Sequence, residues 1–119
     1  MSEKLTMIPA IPSLKTAVRG KPLNVLGGVV NPRPEALEVT VTLWGRAERE
    51  WKALVTRNEV LKGGEHRHLY YAVPAECLED AFWDGGEIEE IELLFSEEIP
   101  SDGDRGVLVF VSGGPVSGV

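Results

Sequence analysis

An all-β domain is predicted: an antiparallel β-sandwich of about seven strands with one short helix. Three features of the chain lead there. Short apolar runs recur between clusters of glycine, proline, asparagine and aspartate, the clearest run alternates apolar with polar residues, and only one stretch is spaced as a helix would be. Strands that each hide one apolar face must pack in two layers. An open barrel is the alternative way to close the same strands.

The elements follow in order. Residues 1–12 lack periodicity and carry Pro9 and Pro12, which predicts a flexible or extended N-terminal arm. The sandwich domain is expected over 13–112, with a flexible tail over 113–119. "LKTAV" (14–18) is the first strand, stopped by Gly20 and Pro22. "LNVLGGVV" (23–30) is the second, and "NPRP" ends it because two prolines cannot continue a strand. Gly27 and Gly28 within it mark a bulge or a close approach between sheets.

"LEVTVTLW" (37–44) sets Val39, Val41 and Leu43 on one face against Glu38, Thr40 and Thr42 on the other, the period of two of a half-buried strand. "WKALVT" (51–56) pairs back on it as a hairpin, and Lys62, Gly63 and Gly64 turn into "HRHLYYAV" (66–73). "PAECLEDAFW" (74–83) opens with proline, puts glutamate in its first turn and spaces Cys77, Leu78, Ala81 and Phe82 helically. It predicts one short helix or 3₁₀ turn near 75–83. "IEEIELLF" (88–95) and "VLVFV" (107–111) complete the set across the turn-rich "PSDGDRG".

The run "LNVLGGVVNPRPEALEVTVTLW", then "VLKGGEHRHLYYAVP", then "IEEIELLF" resembles immunoglobulin-like and fibronectin type III-like bacterial sandwich domains. In these a "G-x-V-x-N" strand leads through a proline turn into an alternating strand, and an "L-x-x-G" turn precedes a strand ending in "V-P". The likeness covers 14–111. It implies the fold and a role as an adhesive, spacer or docking module, and it carries over no catalytic residue. Unlike antibody domains, the chain has no cysteine pair and no tyrosine corner.

Composition narrows the function. The chain has 119 residues, 43% hydrophobic and 26% charged, with a net charge of −7. It is long enough for one core, and its acidity argues against nucleic acid because no basic patch exists to neutralise phosphates. The closest basic grouping is Arg46, Arg49, Lys52 and Arg57. No run approaches the ~20 apolar residues of a membrane span. The first fifteen residues show no secretory h-region, so the cytoplasm is the default expectation.

The chemistry-bearing residues are few. Cys77 is the single cysteine, lies in the apolar phase and reads as a small core residue. No nucleophile elbow or phosphate-binding glycine pattern occurs. His66 and His68 share a face of one strand and could meet one ion, as in the H-x-H of cupins. The glutamate that cupins need a few residues on is replaced by Ala72 and Val73, and no third histidine exists. Phase instead puts Leu69, Tyr71 and Val73 inward and leaves His66, His68 and Tyr70 on the wet side. The acidic "SEEIPSDGD" (96–104) raises a calcium reading but does not fit the EF-hand spacing. No cofactor is expected.

The sharper signal is apolar residues on faces that should be wet. If the strands at 37–44, 51–56, 88–95 and 107–111 share a sheet, then Val39, Val41, Leu43, Ile91, Leu93, Phe95, Val107, Val109 and Val111 face inward. Trp44, Leu94, Leu108 and Phe110 then face out and form a candidate interaction patch. The helix at 75–83 or the N-terminal arm with Met7, Ile8 and Ile11 is the alternative cover for that face. The expected function is a non-catalytic interaction or scaffold module that binds a protein or itself. The alternatives are a carbohydrate-binding module, with Trp44, Trp51 and Tyr70 as its platform, and a metal-dependent cupin-like enzyme using His66 and His68.

Overall fold

A computed structural model describes residues 6–12, 16–48 and 50–113. It is all-β. The strands are β1 (Thr6–Pro12), β2 (Thr16–Val18), β3 (Leu23–Val30), β4 (Leu37–Arg46), β5 (Trp51–Leu61), β6 (His66–Val73), β7 (Glu90–Ser96) and β8 (Val107–Ser112). They make two sheets, a three-stranded one in the order β1-β3-β6 and a five-stranded one in the order β2-β8-β7-β4-β5. All pairings are antiparallel except β2 with β8. The four strands expected to share a sheet do so, with β2 added at the edge. No helix among the described residues is long and apolar enough to cross a membrane.

Three expectations change. Of the arm expected over 1–12, Thr6–Pro12 is a strand paired against β3. Its prolines suit an edge, where a missing N–H costs no ladder bond. Residues 1–5 and most of the tail expected over 113–119, from residue 114 on, lie outside the described residues.

The single helical segment is two 3₁₀ turns, Ala75–Leu78 and Asp80–Trp83, parted by Glu79 in extended backbone. The break lets Cys77, Leu78 and Trp83 all point into the core, and the Trp83 Nε1 donates to the Cys77 carbonyl at 2.9 Å. The strand expected to stop at Thr56 runs on to Leu61, because Arg57–Val60 continue the ladder opposite Glu38–Val41.

The core lies between the sheets, and alternation decides which residues enter it. Val39, Val41 and Leu43 of β4, Ile91, Leu93 and Phe95 of β7, Val109 and Val111 of β8, and Leu69, Tyr71 and Val73 of β6 are buried. Each such side chain contributes about 1.5–3 kcal/mol by leaving water. Gly27 explains itself here: a Cβ at that position would collide with the Phe95 ring across the core. Phe95 meets Tyr71 edge to face at 5.0 Å, and the Tyr71 hydroxyl donates to the Val41 carbonyl at 3.3 Å.

The "NPRP" turn is held by Asn31, which is fully buried. Its Nδ2 donates to the Glu35 and Lys62 carbonyls, both at 3.0 Å, and its Oδ1 accepts the Arg33 N–H. The β3–β4 and β5–β6 turns are thereby tied together, and Gly63 passes so close to the Pro34 carbonyl that any side chain would clash. Where the two sheets meet edge to edge, side chains stitch them. Arg67 of β6 reaches the Val60 carbonyl at 3.0 Å and Glu59 at 3.4 Å, and Arg57 of β5 reaches the Tyr70 carbonyl at 3.4 Å.

Candidate interaction face

The outer face of the five-stranded sheet is built by the even-numbered residues of β4, β7 and β8. Trp44 stands opposite Leu94, Arg46 opposite Glu92, Glu92 opposite Leu108, and Glu90 opposite Phe110, which also neighbours Thr16 of β2. The four residues of the expected patch therefore do share this face. They do not share an environment. Leu108 and Phe110 are 55% and 61% exposed, whereas Trp44 and Leu94 are half-buried.

Part of the face is also covered, though by neither of the two elements foreseen. The N-terminal arm pairs in the opposite sheet, and the 3₁₀ turns send Cys77, Leu78 and Trp83 inward. The 97–106 loop, joining β7 to β8, lies over Arg46, Glu92 and Trp51. Arg46 holds it there. The guanidinium donates to the Asp102 carbonyl at 3.2 Å and the Asp104 carbonyl at 3.0 Å, and it pairs with Glu92 at 2.8 Å. Glu92 accepts in turn from the Gly106 N–H at 2.6 Å. The Trp51 ring lies under the Arg46 guanidinium at 4.4 Å and donates its Nε1 to the Ser101 carbonyl. Pro100 of the same loop is buried.

Arg46 and Glu92 are both largely buried, an arrangement that survives only because each is neutralised and hydrogen-bonded. Burial alone would raise the Glu92 pKa. The Arg46 hydrogen bonds, the Gly106 N–H and the nearby guanidinium charges outweigh it and hold the carboxyl below its ordinary value. The acidic stretch considered for calcium is thus organised from within: Asp102 and Asp104 give their carbonyls to Arg46, and the Asp104 carboxylate accepts the Ser101 N–H at 2.7 Å.

Two shallow clefts flank this clamp, both touching Glu48. One, of about 230 Å³, is lined by Ala47, Glu48, Glu50, Lys52, Trp83 and Asp84 with Gly86 and Glu87. Within it Lys52 donates to the Phe82 carbonyl at 2.7 Å and pairs with Asp84 at 3.3 Å. Of the basic grouping noted in the sequence, Arg46 and Lys52 are therefore spent on internal partners, and Arg49 lies outside the described residues. The other cleft, about 370 Å³, lies between Arg46, Glu48, Glu92, Asp102 and Arg105. Neither is legible in the sequence, since the first joins two distant segments of the chain and the second three.

The remaining candidates are placed as follows. His66, His68 and Tyr70 point outward from β6, with Leu69, Tyr71 and Val73 inward. The two imidazoles lie 5.0 Å apart, and neither cleft is lined by them. Among the described residues no group of three or more His, Cys, Asp and Glu side chains is placed to hold a metal ion. Tyr70 sits on the three-stranded sheet and Trp44 and Trp51 on the five-stranded one, so these three cannot form one sugar platform. Cys77 is buried, and burial followed by the charge of Glu76 pushes its thiol pKa up, which suits an inert core residue.

No family model and no curated protein matches the chain. Solved structures do. The chain is similar to part of the β-glucosidase EmGH1 from Erythrobacter marinus, with a TM-score of 0.73 and 17% identity over 92% of this chain and 15% of that one. It is similar to part of a Listeria innocua β-glucosidase bound to gluconolactone, with a TM-score of 0.68 and 13% identity over 95% and 16% of the two chains. A β-glucosidase of saponin metabolism from intestinal bacteria gives 0.68 and 15% identity over 92% and 16%. At such identities the likeness is one of fold. This chain spans about a sixth of the length of those enzymes.

Proposed function

We propose that this chain is a non-catalytic β-sandwich module, immunoglobulin-like in strand order, that docks to a protein surface through the β8 side of its five-stranded sheet. The observation that carries the reading is the pair Leu108 and Phe110, two residues apart on one strand and each more than half exposed on an otherwise ordered face. Large apolar side chains in that position gain free energy when a partner removes them from water, and aromatic ones dominate such contacts. The sheet order, β1-β3-β6 facing β8-β7-β4-β5, supports the sandwich assignment. The fold match to a sixth of larger enzymes supports a module that works beside another body, either on its own chain or on a second one.

Sedimentation velocity of the wild type and of Phe110→Asp tests the self-associating form. The wild type is expected to form a dimer that the variant loses while keeping its thermal transition. A photo-crosslinking side chain at position 108 tests the form with a different partner. A monomeric wild type together with no protein crosslinked in cells ends the proposal.

Contact with carbohydrate is the second reading, favoured by the β-glucosidase neighbours and by the cleft that joins Trp83 to four carboxylates. A glycan panel that leaves the tryptophan emission unchanged removes it.

A further inference from the structure

We propose that His66 and His68 form a bidentate chelate for a borderline divalent transition ion of the Cu²⁺ or Ni²⁺ class, on the outer face of β6. Residues two apart on a strand project from the same side, so the backbone itself sets the pair in register. Both side chains are exposed, and their ring centroids lie 5.0 Å apart with the planes tilted by 40°.

That spacing suits one shared ion. With metal–nitrogen bonds of ~2.0 Å the ion stands ~3.2 Å from each ring centroid, so two cis imidazoles are separated by ~4.5 Å at a right angle and ~5.2 Å at a tetrahedral one. The observed value falls between the two. Opposite the pair on β3 stand Gly28, which brings no side chain beside His68, and Val30 beside His66.

The neighbouring carboxylates do not complete a larger site. Glu65 accepts from Arg67 Nε at 2.9 Å and from the Lys62 N–H at 2.8 Å. Glu59 is engaged by Arg67 and by the Tyr71 hydroxyl at 3.3 Å. The protein thus offers two imidazole nitrogen donors and leaves the other coordination positions to water. Structural zinc sites use four protein ligands, whereas Cu²⁺ and Ni²⁺ accept tetragonal sets of nitrogen and water, and imidazole suits both. The affinity order expected for such a pair places Cu²⁺ above Ni²⁺.

The experiment titrates the wild type, His66→Ala, His68→Ala and the double variant with Ni²⁺ and then Cu²⁺ by calorimetry, with the circular dichroism spectrum as a control for folding. One ion per wild-type chain is expected, and each single variant should bind about tenfold or more weakly, because the second nitrogen acts at high effective concentration. Electron paramagnetic resonance of the Cu²⁺ form should show two nitrogen ligands in the wild type and one in either single variant. Two independent ions per chain, equal affinity of the wild type and a single variant, or undiminished binding by the folded double variant would each overturn the proposal.

Discussion

Two halves of one sheet face have nearly the same sequence texture and opposite fates. On the β4 side Arg46 and its neighbour Trp51 lie with the 97–106 loop drawn over them, while on the β8 side Leu108 and Phe110 stand in solvent. The difference comes from one side chain. Arg46 brings a guanidinium whose donors reach loop carbonyls and Glu92 at once, and β8 has no such polar anchor on its outer face, only Leu108, Phe110 and Ser112. A buried charge that needs partners recruits a cover. Exposed apolar groups without one are left for something else to cover.

Breaking the clamp should give the largest effect. Arg46→Met leaves Glu92 buried without its cation, and loss of one partner of a buried pair costs about 3–5 kcal/mol. Urea unfolding measures it, and limited proteolysis should cut within 97–106 in the variant but not in the wild type. Next comes the turn staple at the β3–β4 end. Asn31→Ala strips the Glu35 and Lys62 carbonyls of their donor in a buried place, at about 2 kcal/mol by the same urea measurement.

The clamp should also answer to pH. The folded Glu92 pKa lies below its ordinary 4.5, so its stabilising contribution is present above that value and is lost as pH falls through the lower folded value. Unfolding free energy should therefore drop on acidification below about pH 4.5 more steeply in the wild type than in Glu92→Gln. The smallest stability effect belongs to the bare half. Phe110→Asp changes an exposed side chain and should shift unfolding by no more than about 0.5 kcal/mol, while abolishing association.

Parity made much of this legible in advance. Alternation in β4, β7 and β8 separates Val41, Leu43, Ile91, Phe95 and Val109 from Leu108 and Phe110 by side-chain period alone, and phase turns the histidines outward. What could not be read depends on distant partners. Arg46 meets carbonyls 56 and 58 residues away, and no local pattern announces that a loop will fold back. Thr6–Pro12 reads as an arm because proline signals an end, yet an edge strand tolerates it. The strand read over 51–56 leaves out "RNEV" at 57–60, whose backbone continues the ladder with β4 and whose Glu59 serves the seam with β6. The split at Glu79 answers the need to bury Cys77, Leu78 and Trp83 together, which helical spacing alone does not disclose.

Hydroxyl-radical footprinting across a range of protein concentrations compares the two halves in one experiment. Oxidation of Phe110 and Leu108 should fall as concentration or partner rises, with Trp51 reacting at a constant rate under its loop. Constant labelling of Phe110 in the presence of every protein it meets, or parallel protection of both halves, would contradict a docking surface confined to β8.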